Sequence, residues 1–220
     1  EVHERVPDYP IMQTCKGSPR ELAGLVDIWC PLTVSLDEPF YQERLEAGET
    51  LWTYVCCSPR PPYANFFVDR PATEHRILFW QARKAGATGF LYWCTSYWKG
   101  LPTPGTEGKS WPEVPILRKD HGPSKRFEVN GDGVLIYPGA DHTPIPSIRL
   151  EVIRDGIEDY EYLSLLSELV ERAESLPPAR QPAPNLLRRA RRLCEVPSNI
   201  TRSMTEYTNN TRLIFARRRE

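Results

Sequence analysis

Four short apolar runs, the first three followed by helix-compatible segments, constrain this chain more than any other feature. They fall at residues 10–14, 26–30, 51–57 and 88–94, the third being rich in aromatic and β-branched residues. Ser18-Pro19-Arg20-Glu21 has the form of a capping box with Pro at the first helical position, so a short helix is expected there. Residues 39–47, closed by Gly48, and residues 71–85, closed by Gly86, read as two further helices. Near-continuous apolar strands alternating with helices predict an α/β fold whose parallel sheet is covered on both faces.

Beyond residue 94 the alternation stops. Residues 95–133 form a long Pro-, Gly-, Lys- and Trp-containing segment, and segments of that length inside a compact domain are usually functional or mobile. Asn130-Gly131-Asp132-Gly133 is a tight-turn signal leading into a short strand at residues 134–137. The longest helix is expected over residues 146–175, with Leu150, Ile153, Ile157 and Tyr160 on one stripe and Pro177-Pro178 ending it. A basic helix follows at residues 185–194, then a polar tail with a small apolar patch at residues 213–215. Four strand–helix units are half of an eight-unit barrel, and half a barrel leaves raw sheet edges. From the pattern alone, the chain is either an open sheet or part of a barrel completed elsewhere.

Composition narrows the function classes. The 28 Lys and Arg nearly balance 29 Asp and Glu, a net charge of −1, so no nucleic-acid or anionic-membrane partner is expected. No run approaches the ~20 apolar residues of a membrane span. The chain opens on Glu1-Val2-His3 without a basic and then apolar leader, and is expected to be a piece of a longer protein. Six cysteines show no C-x-x-C spacing and no matching histidines, so neither a metal site, a cofactor nor a disulfide framework is expected.

Several blocks resemble the catalytic domain of glycoside hydrolase family 123, the β-N-acetylgalactosaminidases. They are Val26-Asp27-Ile28-Trp29, Leu51-Trp52-Thr53-Tyr54-Val55-Cys56-Cys57, Gly89-Phe90-Leu91-Tyr92-Trp93, Asn130-Gly131-Asp132-Gly133 through Tyr137-Pro138-Gly139, and Ser147-Ile148-Arg149-Leu150-Glu151 through Arg154-Asp155-Gly156-Ile157-Glu158-Asp159-Tyr160-Glu161-Tyr162. The resemblance implies that residues 1–175 are the C-terminal half of a (β/α)8 TIM-type barrel. Residues 176–220 are then a helical extension, with the other half-barrel and a β-sandwich domain upstream. It implies a retaining, substrate-assisted removal of terminal β-N-acetylgalactosamine, in which the sugar's own acetamide oxygen attacks the anomeric carbon, an exception to the two-carboxylate scheme. An Asp-Glu pair would polarise the acetamide and act as acid and base. That pair is expected at a strand end before Glu1. Secretion or a periplasmic location is suggested by the family alone.

Asp37-Glu38 has the composition of such a pair, but it precedes Pro39 at a helix start, where capping and the helix dipole explain acidic residues. The ends of barrel strands that face the helix starts build the active-site mouth. Tyr54, Trp93, Tyr97 and Trp98 lie at such ends, and flat aromatic rings cover the C–H face of a pyranose, so these are the sugar-binding candidates. Asn130 and Asp132 join them as acceptors for hydroxyl groups, against a plain turn role. Trp52, Phe90 and Tyr92 read as barrel core, and Arg154 with Glu158 as a pair clamping the long helix to the barrel. A non-catalytic carbohydrate-binding relative and an α/β scaffold domain stay open as alternatives.

Overall fold

The computed structural model describes Arg5 and residues 8–97, 119–120, 126–127, 130–139 and 143–220. Strands β1 (Met12–Cys15), β2 (Ile28–Pro31), β3 (Thr50–Val55) and β4 (Gly89–Tyr92) form one parallel sheet in chain order. Helix α1 (Pro39–Glu46) crosses from β2 to β3, and α2 (Ala72–Ala85) from β3 to β4. Gly86 ends α2 in the left-handed conformation, with φ 79°, its N–H returning to the carbonyls of Ala82 and Arg83.

Between β1 and β2 the expected helix is only a 3-10 turn, Arg20–Leu22. The capping box does not form. Ser18 Oγ donates to Glu38 Oε2 instead of accepting a helix N–H, and no side chain caps the turn.

After β4, β5 (Lys119–Asp120) pairs antiparallel with β6 (Arg126–Phe127), and β7 (Ile136–Pro138) with β8 (Pro144–Pro146). The expected strand at 134–137 thus starts later, because the Asn130–Gly133 turn reaches Val134, which makes only an isolated bridge to Ser96. Helix α3 (Ile148–Glu174) starts at Ser147, whose Oγ accepts the Leu150 N–H. Helices α4 (Pro184–Cys194) and α5 (Thr211–Arg219) follow. The sequence showed α5 only as an apolar patch, because one residue, Ile214, is its buried anchor and no stripe repeats.

The position of the core corrects the expectation of a sheet covered by helices on both faces. Leu51 joins Trp29, Phe40, Tyr41, Ala82 and Ala85 in a core against α1 and α2. Val55 joins Phe66, Leu78, Phe79 and Ile153, with Phe90 and Tyr92 packed alongside, against α2 and α3. Leu51 and Val55 point the same way from β3, since strand side chains alternate. Both cores therefore lie on one face. Parallel neighbours joined in sequence by right-handed crossovers place their helices on a single side, which is the arrangement observed.

A third cluster seals the outer layer, with Ile77 and Trp80 of α2 meeting Leu163 of α3, Ile200 and Ile214. Asp159 is the polar centre of this layer. Its carboxylate accepts from Arg76 Nε at 2.5 Å and Nη2 at 2.7 Å, and from Trp80 Nε1 at 2.9 Å, and all three residues are buried. The Arg154–Glu158 pair, expected to clamp α3, lies in solvent with Arg154 62% exposed. Glu158 also accepts from Arg218 of α5 at 2.8 Å. Long ionic side chains next to water contribute little, so the clamp is Asp159.

Candidate functional site

The face of the sheet turned away from the helices carries the alternate residues. In β3 these are Trp52 and Tyr54, half-buried between buried Leu51, Thr53 and Val55. Register carries the same parity to Gly89 and Leu91 in β4, to Cys30 and Leu32 beside β3, and to Met12 and Thr14 in β1. Trp52, expected to fill a barrel, lies half-buried on this open face with its indole over Gly89; a Cβ there would run into the ring. Phe90 and Tyr92 are core as expected, though between sheet and helices and not inside a barrel.

At the end of β4, Trp93 continues the open face and is 41% exposed. Three contacts fix its ring. Its Nε1 donates to Asp132 Oδ1 at 2.9 Å, its face covers Gly133 closely enough that a Cβ would meet it at 2.5 Å, and Tyr97 packs at 5.0 Å between centroids. Tyr92 reaches the same carboxylate from the core side, O–H to Oδ1 at 3.2 Å, and its oxygen accepts the Gly133 N–H at 2.7 Å. Burial, with the Asp132 carboxylate beside it, holds the Tyr92 phenol well above its ordinary pKa. Asp132 is itself only 1% exposed. The described hydrogen bonds therefore make it the anchor of Trp93 from below.

Asn130 caps the other side of the turn, its carbonyl accepting the Val68 N–H at 2.9 Å. Its side-chain oxygen is buried without a hydrogen-bond partner among the described residues. Arg149, at the start of α3, holds the turn from behind: its guanidinium donates to the carbonyls of Phe66 (2.7 Å), Gly131 (2.9 Å) and Val134. Residues 95–97 are stitched to the same turn, Tyr97 N–H to Gly133 O at 2.8 Å and Leu135 N–H to Thr95 O at 2.8 Å. The site thus brings Trp93, Tyr97, Asn130 and Asp132 together, with Tyr54 on the neighbouring strand. Trp98 lies outside the described residues.

Tyr54 is pushed up to about 12 by burial first, then by the nearby thiols of Cys56 and Cys30, so it is a neutral O–H donor at physiological pH. Chemically, this surface offers flat aromatic faces with polar edges, the pattern that covers a pyranose and bonds its hydroxyls. Two participants were missed in the sequence. Trp52 was legible from the i, i+2 alternation with Tyr54. Arg149 lies in one of the family-like blocks, but nothing in its spacing shows that it serves backbone carbonyls. Asp37 is exposed, and Glu38 stands at the N-cap of α1 without capping it.

An apolar cavity of about 360 Å3 opens elsewhere, on the helix side of β4, between Phe79, Phe90, Leu135, Ile153, Ile157 and Tyr160. Its lining has few polar groups and does not suit a sugar.

Among solved structures, a family 123 glycoside hydrolase from Clostridium perfringens, studied for glycolipid glycan hydrolysis, matches with a TM-score of 0.53 at 20% identity. The match covers 84% of this chain and 28% of that one, so the chain spans under a third of that protein's length. No curated protein matches. The model of the glycoside hydrolase 123 catalytic domain matches residues 2–166, three quarters of the chain, and the chain belongs to that family.

Proposed function

We propose that this chain is the C-terminal half of a (β/α)8 glycoside hydrolase barrel and supplies one wall of its sugar site. The observation that carries this reading is the one-sided sheet. Its four parallel strands run in chain order, helices cover one face, and Trp52, Tyr54 and Trp93 stand on the other. A barrel interior is the natural counterpart of such a face. The apolar cavity beside β4, with Ile157 exposed at its rim, suits the docking of the preceding barrel units.

In the complete protein the reaction is removal of terminal β-N-acetylgalactosamine from a glycan, with the substrate's acetamide as nucleophile. The acid/base Asp-Glu pair comes from the other half-barrel, and a β-sandwich precedes it. Here Trp93 and Tyr54 hold the sugar ring, Tyr97 flanks Trp93, Asp132 fixes the angle of the Trp93 indole, and Asn130 offers its amide to a hydroxyl. Trp98 is proposed as a further aromatic contact.

The test uses release of nitrophenol from 4-nitrophenyl β-N-acetylgalactosaminide. The purified 220-residue chain is expected to release none, while the complete protein turns over and loses at least ~10-fold in kcat/KM on Trp93→Ala, about 1.4 kcal/mol of transition-state stabilisation. Turnover by the 220-residue chain would overthrow the placement of the carboxylates. Sugar binding without turnover by the complete protein would favour a non-catalytic carbohydrate-binding relative.

A further inference from the structure

The bend that ends β3 holds two adjacent thiols on the same side of the chain. Consecutive residues of an extended strand point to opposite faces. Yet Cys56 Sγ and Cys57 Sγ lie 4.0 Å apart, because the chain leaves strand geometry after Val55 and bends through both residues.

Asn65, buried at 1% exposure, fixes that bend. Its Nδ2 donates to the carbonyl of Cys56 at 3.0 Å and to that of Pro59 at 2.8 Å, while the Cys56 N–H donates to Ser58 O at 2.8 Å. Asn65 is secured in turn, since its N–H donates to Glu74 Oε2 and its Oδ1 accepts the Phe66 N–H at 2.7 Å. The approach of the two sulfurs is therefore built into a hydrogen-bonded loop. Both thiols are half-buried, which leaves them within reach of a small reagent. Burial first, then Cys57 and the Asp132 carboxylate, pushes the Cys56 thiol up to about 11.

We propose that Cys56 and Cys57 are a modification site, a vicinal dithiol that low-molecular-weight disulfides close into a ring at the edge of the aromatic face. One cysteine thiolate attacks a sulfur of the small disulfide, forming a mixed disulfide and expelling one small thiolate. The neighbouring cysteine, as thiolate, attacks the protein sulfur of that mixed disulfide and expels the second. Two protein thiols are oxidised, one small disulfide is reduced to two thiols, and the cysteine protons pass to the departing thiolates.

Adjacent Cα atoms are about 3.8 Å apart, below the roughly 4.4–6.8 Å of ordinary disulfides, so the ring is strained and opens readily to reductant. Closure is slow at neutral pH, because Cys56 is held as the neutral thiol, and accelerates as pH rises toward about 11. It requires no sugar site and stands or falls separately from the proposed function.

The test equilibrates the 220-residue chain with mixtures of glutathione and its disulfide at mildly alkaline pH, then traps remaining thiols by alkylation. Intact mass and peptide mapping are expected to show loss of two hydrogen atoms, no retained glutathione, simultaneous protection of Cys56 and Cys57, and recovery with dithiothreitol. Cys56→Ser and Cys57→Ser are each expected to retain a glutathione adduct on the remaining thiol. A lasting glutathione adduct in the unmodified sequence, or a disulfide from either residue to Cys15, Cys30 or Cys94, would overturn the proposal.

Discussion

On the helix-covered face of the sheet, aromatic rings meet one another: Trp29 and Phe40 at 5.2 Å, Phe66 and Phe90 at 5.5 Å, Phe79 and Phe90 at 5.1 Å. Across the sheet, Trp52, Tyr54 and Trp93 stand half-buried or exposed, held by glycine approaches and hydrogen bonds more than by enclosure. The strands supply both sets by simple alternation. One set gains its energy from leaving water, and the other keeps surface available for a ligand. Stability should therefore concentrate on the first face and recognition on the second.

The largest expected effect belongs to the outer clamp. Asp159→Ala removes both hydrogen-bonded oxygens from the buried Arg76 guanidinium, leaving it only Asp155 at 3.8 Å, and removes the acceptor of Trp80 Nε1. A loss of roughly 3–5 kcal/mol is expected, read from the urea midpoint at unchanged slope. A loss below about 1 kcal/mol would mean that the covered face does not hold the fold.

Next comes a titration inside that same face. His75, 2% exposed, bonds the Phe67 carbonyl through Nε2, and burial lowers its pKa from 6.5 to about 4. The unfolded chain binds the proton first. Stability therefore falls as pH drops from 6.5 toward about 4 and levels off below, a change of up to about 3 kcal/mol. His75→Gln keeps a donor for Phe67 O and should flatten that slope; an unchanged pH profile would assign the acid sensitivity elsewhere.

Gly89→Ala tests the open face, because its methyl group collides with the Trp52 indole. The cost should be about 1–3 kcal/mol, accompanied by a shift in tryptophan emission. Smallest of all is Tyr54→Phe, expected within ~0.5 kcal/mol of the parent in stability while weakening sugar binding in the complete protein. If it instead destabilises the chain like a core truncation, the contrast between the faces fails.

Much of this organisation was legible in the residues. All four strands and the helices at 39–46 and 72–85 follow from apolar runs and from stops at Gly48 and Gly86, which act within a few residues. What escaped was settled by contacts distant in sequence. Ser18 looked like a cap until Glu38, on another element, took its hydroxyl. Glu158 pairs with Arg154 as expected, at 3.7 Å, but the tail's Arg218 binds it more closely, at 2.8 Å. The candidate site divides in the same way. Tyr54, Trp93 and Tyr97 could be named from strand ends, whereas the burial of Asp132 beneath Trp93 depends on a turn some 40 residues away meeting β4.

Arg149 qualifies the division between the faces. Its backbone belongs to the helix that seals the back of the sheet, but its guanidinium grips the turn that carries Asp132 and underlies Trp93. The helix is thus a lever whose short arm ends beneath the exposed Trp93 indole. Warming that loosens the first turn of α3 should blur the angle of Trp93 before the sheet melts, so recognition should fade at a lower temperature than the fold.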